Sequence, residues 1–110
     1  MLNRSIITIK AKKPFLDWLR SLPDPDNRTT LDEINFDNTT YLLPGYDMDG
    51  AREPILKKYY GEIFEDQLAE WWTDSAHWPN HRNFATFKEW FDIEFHSLII
   101  DLVNLPLEYE

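Results

Sequence analysis

Three segments of the chain carry the pattern of hydrophobic and polar positions that is typical of β-strands. Residues 4–12 alternate apolar and polar side chains, and residues 39–43 form a short run that ends at the turn dipeptide Pro44-Gly45. Residues 91–103 begin with strict alternation and continue as a mostly apolar run. A period of two with β-branched or aromatic residues is typical of a strand with one covered face. The pattern therefore predicts three strands, the last of which extends through Val103.

Other segments carry the period of amphipathic helices. In residues 14–22 apolar side chains recur at i, i+3, i+4 and i+7, and from about residue 51 to residue 72 two series of apolar side chains recur every four positions. Residues 83–91 place four aromatic side chains on one face behind a capping asparagine. These spacings predict three core-facing helices. Residues 30–35 have capping-box spacing and predict one further helical turn.

Taken in order, these elements predict an α+β fold with the order β-α-β-α-α-β. A β-α-β start with a helical pair before the last strand favours a small three-stranded mixed sheet packed by helices. At 110 residues and 43% hydrophobic, the whole chain 1–110 is predicted to be one domain. Three strands are few, so a homodimer that completes the sheet or covers its open face is an alternative to a monomer.

The net charge of −9 is unevenly distributed along the chain. The first 20 residues carry five basic side chains against one acidic one, a net +4, and the remainder carries six against nineteen, a net −13. Such an acidic body disfavours direct binding to nucleic acid and favours a basic protein partner, with plain solubility as the simpler explanation. Within residues 51–72, acidic side chains at helical spacing are predicted to form the solvated helix face: Glu62, Glu65, Asp66 and Glu70.

The residue types that are missing exclude several kinds of chemistry. Without cysteine there is no disulfide, thiolate metal site or cysteine nucleophile. No apolar run approaches the roughly 20 residues of a membrane span, and the N-terminal run is too short for a signal peptide. We therefore expect a cytoplasmic protein without membrane association. No glycine-rich phosphate loop or dinucleotide fingerprint occurs, and we predict no cofactor.

Three segments of the chain also resemble a known family. They are MLNRSIITIKAKKPFLDWL at the start, YYGEIFEDQLAEW in the middle, and FKEWFDIEFHSLIIDL near the end. Together they resemble a family of small acidic bacterial proteins of unknown function. The resemblance implies a bacterial cytoplasmic origin and a single domain, and it implies no activity, cofactor, partner or site residue.

The segment between the last two predicted helices concentrates aromatic and basic side chains. Tryptophan and arginine are enriched at the anchor positions of protein interfaces, although packing in the core is the commoner fate of such rings. The segment therefore predicts a surface for a protein partner, and the chain is interpreted as a non-catalytic acidic interaction or regulatory domain. The predicted surface consists of Trp71, Trp72, His77, Trp78, His81 and Arg82.

A small metal-assisted hydrolase is the alternative function. Metal-assisted hydrolysis needs several nitrogen or oxygen ligands that converge on one ion, and four residues supply the right atom types: Asp74, His77, His81 and His96. Pro79 lies between two of these histidines, so a regular helix cannot present both together. The sequence contains no nucleophile motif, and it leaves the catalytic residues unknown.

Overall fold

A computed structural model describes residues 4–24 and 28–103 of the chain, apart from the side chain of Asp49. The α+β class and the three strands predicted from the sequence are confirmed. Within the described ranges the elements are β1 (Arg4–Ala11), α1 (Lys13–Ser21), α2 (Leu31–Ile34), β2 (Thr40–Pro44), α3 (Arg52–Trp71), α4 (Phe84–Trp90) and β3 (Phe91–His96), with 3₁₀ turns at Asp49–Ala51 and Ser75–His77.

The three strands form one sheet in the order β2-β1-β3, and both pairs are antiparallel. The sheet is therefore antiparallel throughout the described chain, not mixed as predicted. The reason lies in the side-chain amide of Asn35, which donates to the carbonyl of Ala11 at 3.0 Å and accepts from its N–H at 2.9 Å. This contact ties the entry to β2 to the end of β1, so the chain must run back along β1.

The core lies between one face of the sheet and the helices. Ser5, Ile7, Ile9 and Ala11 alternate along β1 as buried residues, whereas the intervening side chains are half-buried or exposed. The opposite face of the sheet stays open to solvent in the described chain. Aromatic rings fill the space under the covered face: Phe64 of α3 packs against Phe87, Trp90 and Phe91 at centroid distances of 5.8, 5.4 and 5.6 Å.

The last strand is shorter than predicted. Its ladder with β1 pairs Ile6 with His96, so Leu98 would lie opposite Arg4, the first residue of β1. The ladder with β3 nonetheless stops at Ile6, and among the described strands Arg4 and Ser5 pair with β2 alone. Beyond β3 the apolar side chains are exposed instead of paired: Leu98, Ile100, Leu102 and Val103. The loose tail predicted for residues 105–110 lies outside the described residues.

None of the helices in the described part of the chain combines the length and the hydropathy needed to cross a bilayer.

Candidate functional site

The aromatic corner, residues 71–82, joins the end of α3 to the start of α4. Trp72 ends α3 in an extended conformation, and its N–H still donates to the carbonyl of Leu68 at 2.9 Å. The carboxylate of Asp74 caps the following 3₁₀ turn by accepting from the N–H of Ala76 at 3.0 Å. The capping aspartate and the later Pro79 force the chain out of the helix, which agrees with the break predicted here.

The tryptophans of the aromatic corner serve mainly to hold the fold together. Trp71, Trp72 and Trp78 are half-buried and pack against the core. The indole N–H of Trp78 donates to the carbonyl of Trp72 at 2.8 Å, and the indole N–H of Trp18 donates to the carbonyl of His77 at 2.9 Å. Indole N–H groups engaged in this way cannot donate to a partner, although the half-exposed ring edges can still contact one.

The polar residues of the predicted surface have separate roles. Arg82 donates to the carbonyl of Pro79 at 2.8 Å, lies 3.6 Å from Glu65, and places its guanidinium 5.7 Å from the ring centre of Trp78. His77 meets the ring of Trp72 edge-on at 5.7 Å, and His81 is exposed. The corner therefore assembles Trp72, His77, Trp78 and Arg82 into one surface.

The four residues of the hydrolase hypothesis do not form a metal centre. His77 lies 3.9 Å from Asp74 in the aromatic corner, whereas His96 lies 3.1 Å from Glu94 on β3. Across the described ranges, no three His, Cys, Asp or Glu side chains are placed to hold a metal ion together. Asp74 and His77 therefore form one exposed contact, His96 lies apart from them beside Glu94, and His81 is exposed.

A second candidate site lies at the edge of the sheet, where β2 runs beside α3. The groove between them, called here the β2–α3 groove, has a volume of about 760 Å³. Its walls combine tyrosine rings, aliphatic side chains, two carboxylates and the side chain of Arg4, and it is open to solvent. The lining residues are Arg4, Tyr41, Leu42, Leu43, Pro44, Gly45, Tyr59, Glu62, Ile63 and Asp66.

Hydrogen bonds fix the acidic wall of this groove to β2. The hydroxyl of Tyr41 donates to Asp66 and accepts from the amide of Gln67 at 2.9 Å. Just before β2, the hydroxyl of Thr39 donates to Glu70 at 3.1 Å. One side chain of β2 and one just before it therefore hold two carboxylates of α3 in place.

The electrostatics of this wall follow from its crowding. Burial of Tyr41 raises the pKa of its hydroxyl well above the ordinary value, and the hydrogen bond to Asp66 raises it further. Partial burial raises the pKa of the Glu70 carboxyl; the hydrogen bond from Thr39 works against that shift, and the nearby charge of Asp66 adds to it. Burial is the leading cause of both pKa shifts, and the nearby charge of Asp66 adds to each of them.

The acid column, defined as Glu62, Asp66 and Glu70, follows one face of α3 at intervals of four residues. All three side chains are exposed, as predicted for the solvated face of this helix. Sequence reasoning missed that Glu62 and Asp66 on this face line the groove, with Glu70 one helical turn farther along α3. The spacing of the acidic residues was visible, but the position of β2 beside them was not, because it depends on contacts between residues more than 20 positions apart.

Comparison of the chain with protein-family models, with curated proteins and with solved structures finds no match.

Proposed function

We propose that the protein is a non-catalytic interaction domain that binds a basic protein partner through the β2–α3 groove. The observation that carries this proposal is the acid column, which stands beside an open groove lined by tyrosines. Tyrosine supplies large contact area with a polar tip, and carboxylates attract lysine and arginine.

The acid column has a cost that favours a role in binding. Like charges four residues apart destabilise a helix by roughly 0.2–0.5 kcal/mol for each pair. Glu62–Asp66 and Asp66–Glu70 are two such pairs on α3. A basic ligand would relieve this repulsion, and the exposed carboxylates can accept it without a large loss of hydration.

The aromatic corner supports the proposal less well than the groove does. The indole N–H of Trp78 and the guanidinium of Arg82 are engaged within the chain, and the indole N–H of Trp72 is buried without a hydrogen-bond partner among the described residues. The groove instead offers exposed carboxylates and the half-exposed side chain of Leu42.

The test compares two charge-matched variants in binding to a labelled lysine-rich peptide, measured by fluorescence anisotropy. The groove variant replaces the acid column by Glu62→Gln, Asp66→Asn and Glu70→Gln. The control variant removes the same amount of charge from exposed positions elsewhere: Asp17→Asn, Asp37→Asn and Glu89→Gln.

We expect the groove variant to bind about tenfold more weakly than wild type, because three exposed ion pairs of roughly 0.5 kcal/mol each sum to about 1.5 kcal/mol. The control variant should stay within about threefold of wild type, since only long-range attraction changes. Raising the salt concentration should weaken wild-type binding and reduce the difference between the two variants. Equal losses in both variants would mean that the peptide follows overall charge and that the groove is not the site.

A further inference from the structure

We infer that the partner binds in the β2–α3 groove as an extended segment that adds a fourth strand to the sheet, with basic side chains at alternate positions. This inference rests on the proposed function and specifies its binding mode. Strand addition at a sheet edge gains affinity from main-chain hydrogen bonds and specificity from alternate side chains.

The character of the sheet edge at β2 favours strand addition. β2 lies at one edge of the sheet formed by the described residues, with β1 on its other side. An edge strand presents unpaired backbone N–H and C=O groups, and proteins usually protect such edges with charged residues or proline. β2 has the sequence TYLLP, without a charged residue and with its single proline at the end, whereas the opposite edge strand β3 reads FDIEFH. The edge at β2 is thus the less protected one.

The alignment of β2 with α3 also favours strand addition. Thr39, just before β2, contacts Glu70 and Tyr41 of β2 contacts Asp66, so a step of two residues at the start of the strand corresponds to a step of four along the helix. Two strand residues span about 6.7 Å and four helix residues span about 6.0 Å, which is nearly the same distance. The acid column therefore repeats at the spacing of side chains on one face of a strand.

The two faces of the added strand would meet different surroundings. Tyr41 and Leu43 lie opposite the buried residues Ile7 and Ser5, so they occupy the helix-covered face of the sheet, whereas Leu42 lies opposite Ile6 on the open face. Side chains of the added strand on the covered face would point to the acid column. Those on the open face would pack beside Leu42, which is 51% exposed. The predicted ligand thus alternates basic and apolar residues.

A second copy of this chain fits the edge poorly. Pairing of β2 with the β2 of another copy would bring two acid columns together along the same groove. Like charges in that position repel one another. Charge complementarity therefore selects a basic segment of a different protein.

The decisive experiment uses synthetic peptides of about seven residues that alternate lysine and valine, with a control peptide in which the same residues are grouped in blocks. We expect the alternating peptide to bind about three- to fivefold more tightly, because it presents a lysine to each of the three carboxylates and the block peptide presents lysines to only two, a difference of one exposed ion pair of at most about 1 kcal/mol. Two further peptides carry N-methyl groups on alternate amides, one in each register. Methylation in the register that faces β2 should reduce affinity by about tenfold or more, and methylation in the other register should leave it nearly unchanged.

A variant of the protein tests the open face independently. Leu42→Thr removes apolar contact at a half-exposed position and introduces a β-branched residue that favours a strand, so the fold is not at risk. We expect it to weaken binding of the lysine–valine peptide by about three- to tenfold and to leave a lysine–threonine peptide unchanged.

The outcomes separate the two proposals. Equal affinity of the alternating and block peptides, with both lost in the acid-column variant, would overturn strand addition and leave the groove as the binding site. Equal effects of the two methylation registers would also overturn strand addition. If no lysine peptide bound to the wild-type protein, both proposals would be overturned.

Discussion

The hydroxyl of Tyr41 offers the sharpest test of how the β2–α3 groove is built. It donates to Asp66 and accepts from the amide of Gln67 at 2.9 Å, so it joins the sheet to α3 through two hydrogen bonds. The substitution Tyr41→Phe keeps the ring and removes both bonds. We expect it to lower the free energy of unfolding by about 2 kcal/mol.

The magnitude depends on the burial of the two partners. Gln67 is 8% exposed, and leaving its amide donor without a partner costs about 1–3 kcal/mol. Asp66 is exposed, so water replaces the lost hydroxyl there and the added cost is about 1 kcal/mol or less. With a urea dependence of about 1–3 kcal/mol per molar, the midpoint of urea unfolding should fall by about 1 M.

The stability of Tyr41→Phe should also depend less on pH at the alkaline end. The pKa of Tyr41 is raised in the folded protein, first by burial and then by its hydrogen bond to Asp66. The unfolded chain releases this proton near pH 10, at the ordinary tyrosine value of about 10, while the folded protein retains it. The stabilisation is thus fully present below about pH 10 and is lost as the pH rises above that value. Wild type should lose stability more steeply than Tyr41→Phe in this range.

Two comparisons isolate the hydrogen bonds from the loss of a hydroxyl as such. Tyr59 lines the same groove, and within the described ranges its hydroxyl makes no hydrogen bond, so Tyr59→Phe should leave the urea midpoint nearly unchanged. The double substitution Tyr41→Phe with Gln67→Leu should recover part of the lost stability, since no buried donor is then left unpaired. If Tyr41→Phe and Tyr59→Phe shifted the midpoint equally, the reasoning about Gln67 would be refuted.

Two further substitutions test local features of the fold. Gly61→Ala should raise the free energy of unfolding, measured by urea titration, by about 0.5–1 kcal/mol. Gly61 lies inside α3, and an added Cβ meets no atom within 4 Å among the described residues. A loss of stability would show that the helix packs more closely there. Asn35→Ala should cost about 2 kcal/mol and increase hydrogen exchange at the amide of Ala11, whose N–H and C=O both bind the Asn35 side chain. Asn35→Asp keeps only the hydrogen-bond acceptor, so its stability should lie between those of wild type and Asn35→Ala. An unchanged exchange rate at Ala11 in Asn35→Ala would contradict the assigned contact.

The helices could be predicted because their signals are local. α3 was expected from about residue 51 to residue 72 and spans Arg52–Trp71, since its apolar repeats recur within one turn of each other. The capping side chains at Thr30 and Asn83 act on residues three positions away, which also makes them readable in the sequence.

Strand direction and strand length depended on distant contacts and could not be predicted. The antiparallel return of β2 is fixed by Asn35 at Ala11, 24 positions away. β3 ends at His96, opposite Ile6, and the apolar run that continues beyond His96 carried no information about where the ladder stops. Periodicity describes which side chains are apolar, and pairing decides whether the backbone has partners.

The sequence indicated which residue types a binding surface would use, but not where in the fold that surface lies. The concentration of tryptophan between residues 71 and 78 was visible, but the indole N–H groups of Trp18 and Trp78 turned out to bind main-chain carbonyls of the corner itself. The β2–α3 groove lacks a sequence motif altogether. Its two walls are separate in the chain, and only their alignment places the acid column beside an open strand edge.

That alignment links the stability of the groove to its proposed binding. Tyr41 and Thr39 hold Asp66 and Glu70 in fixed positions, so two members of the acid column are already placed at strand spacing before a ligand arrives. Side chains that are ordered in advance reduce the entropy lost on binding. Loss of the Tyr41 hydroxyl leaves the carboxylate of Asp66 free to move and the amide of Gln67 without its hydrogen-bond partner. Tyr41→Phe should therefore weaken binding of the alternating peptide even under conditions where the protein remains fully folded. A ligand that merely follows overall charge would not respond to Tyr41→Phe, because the charge of the protein is unchanged.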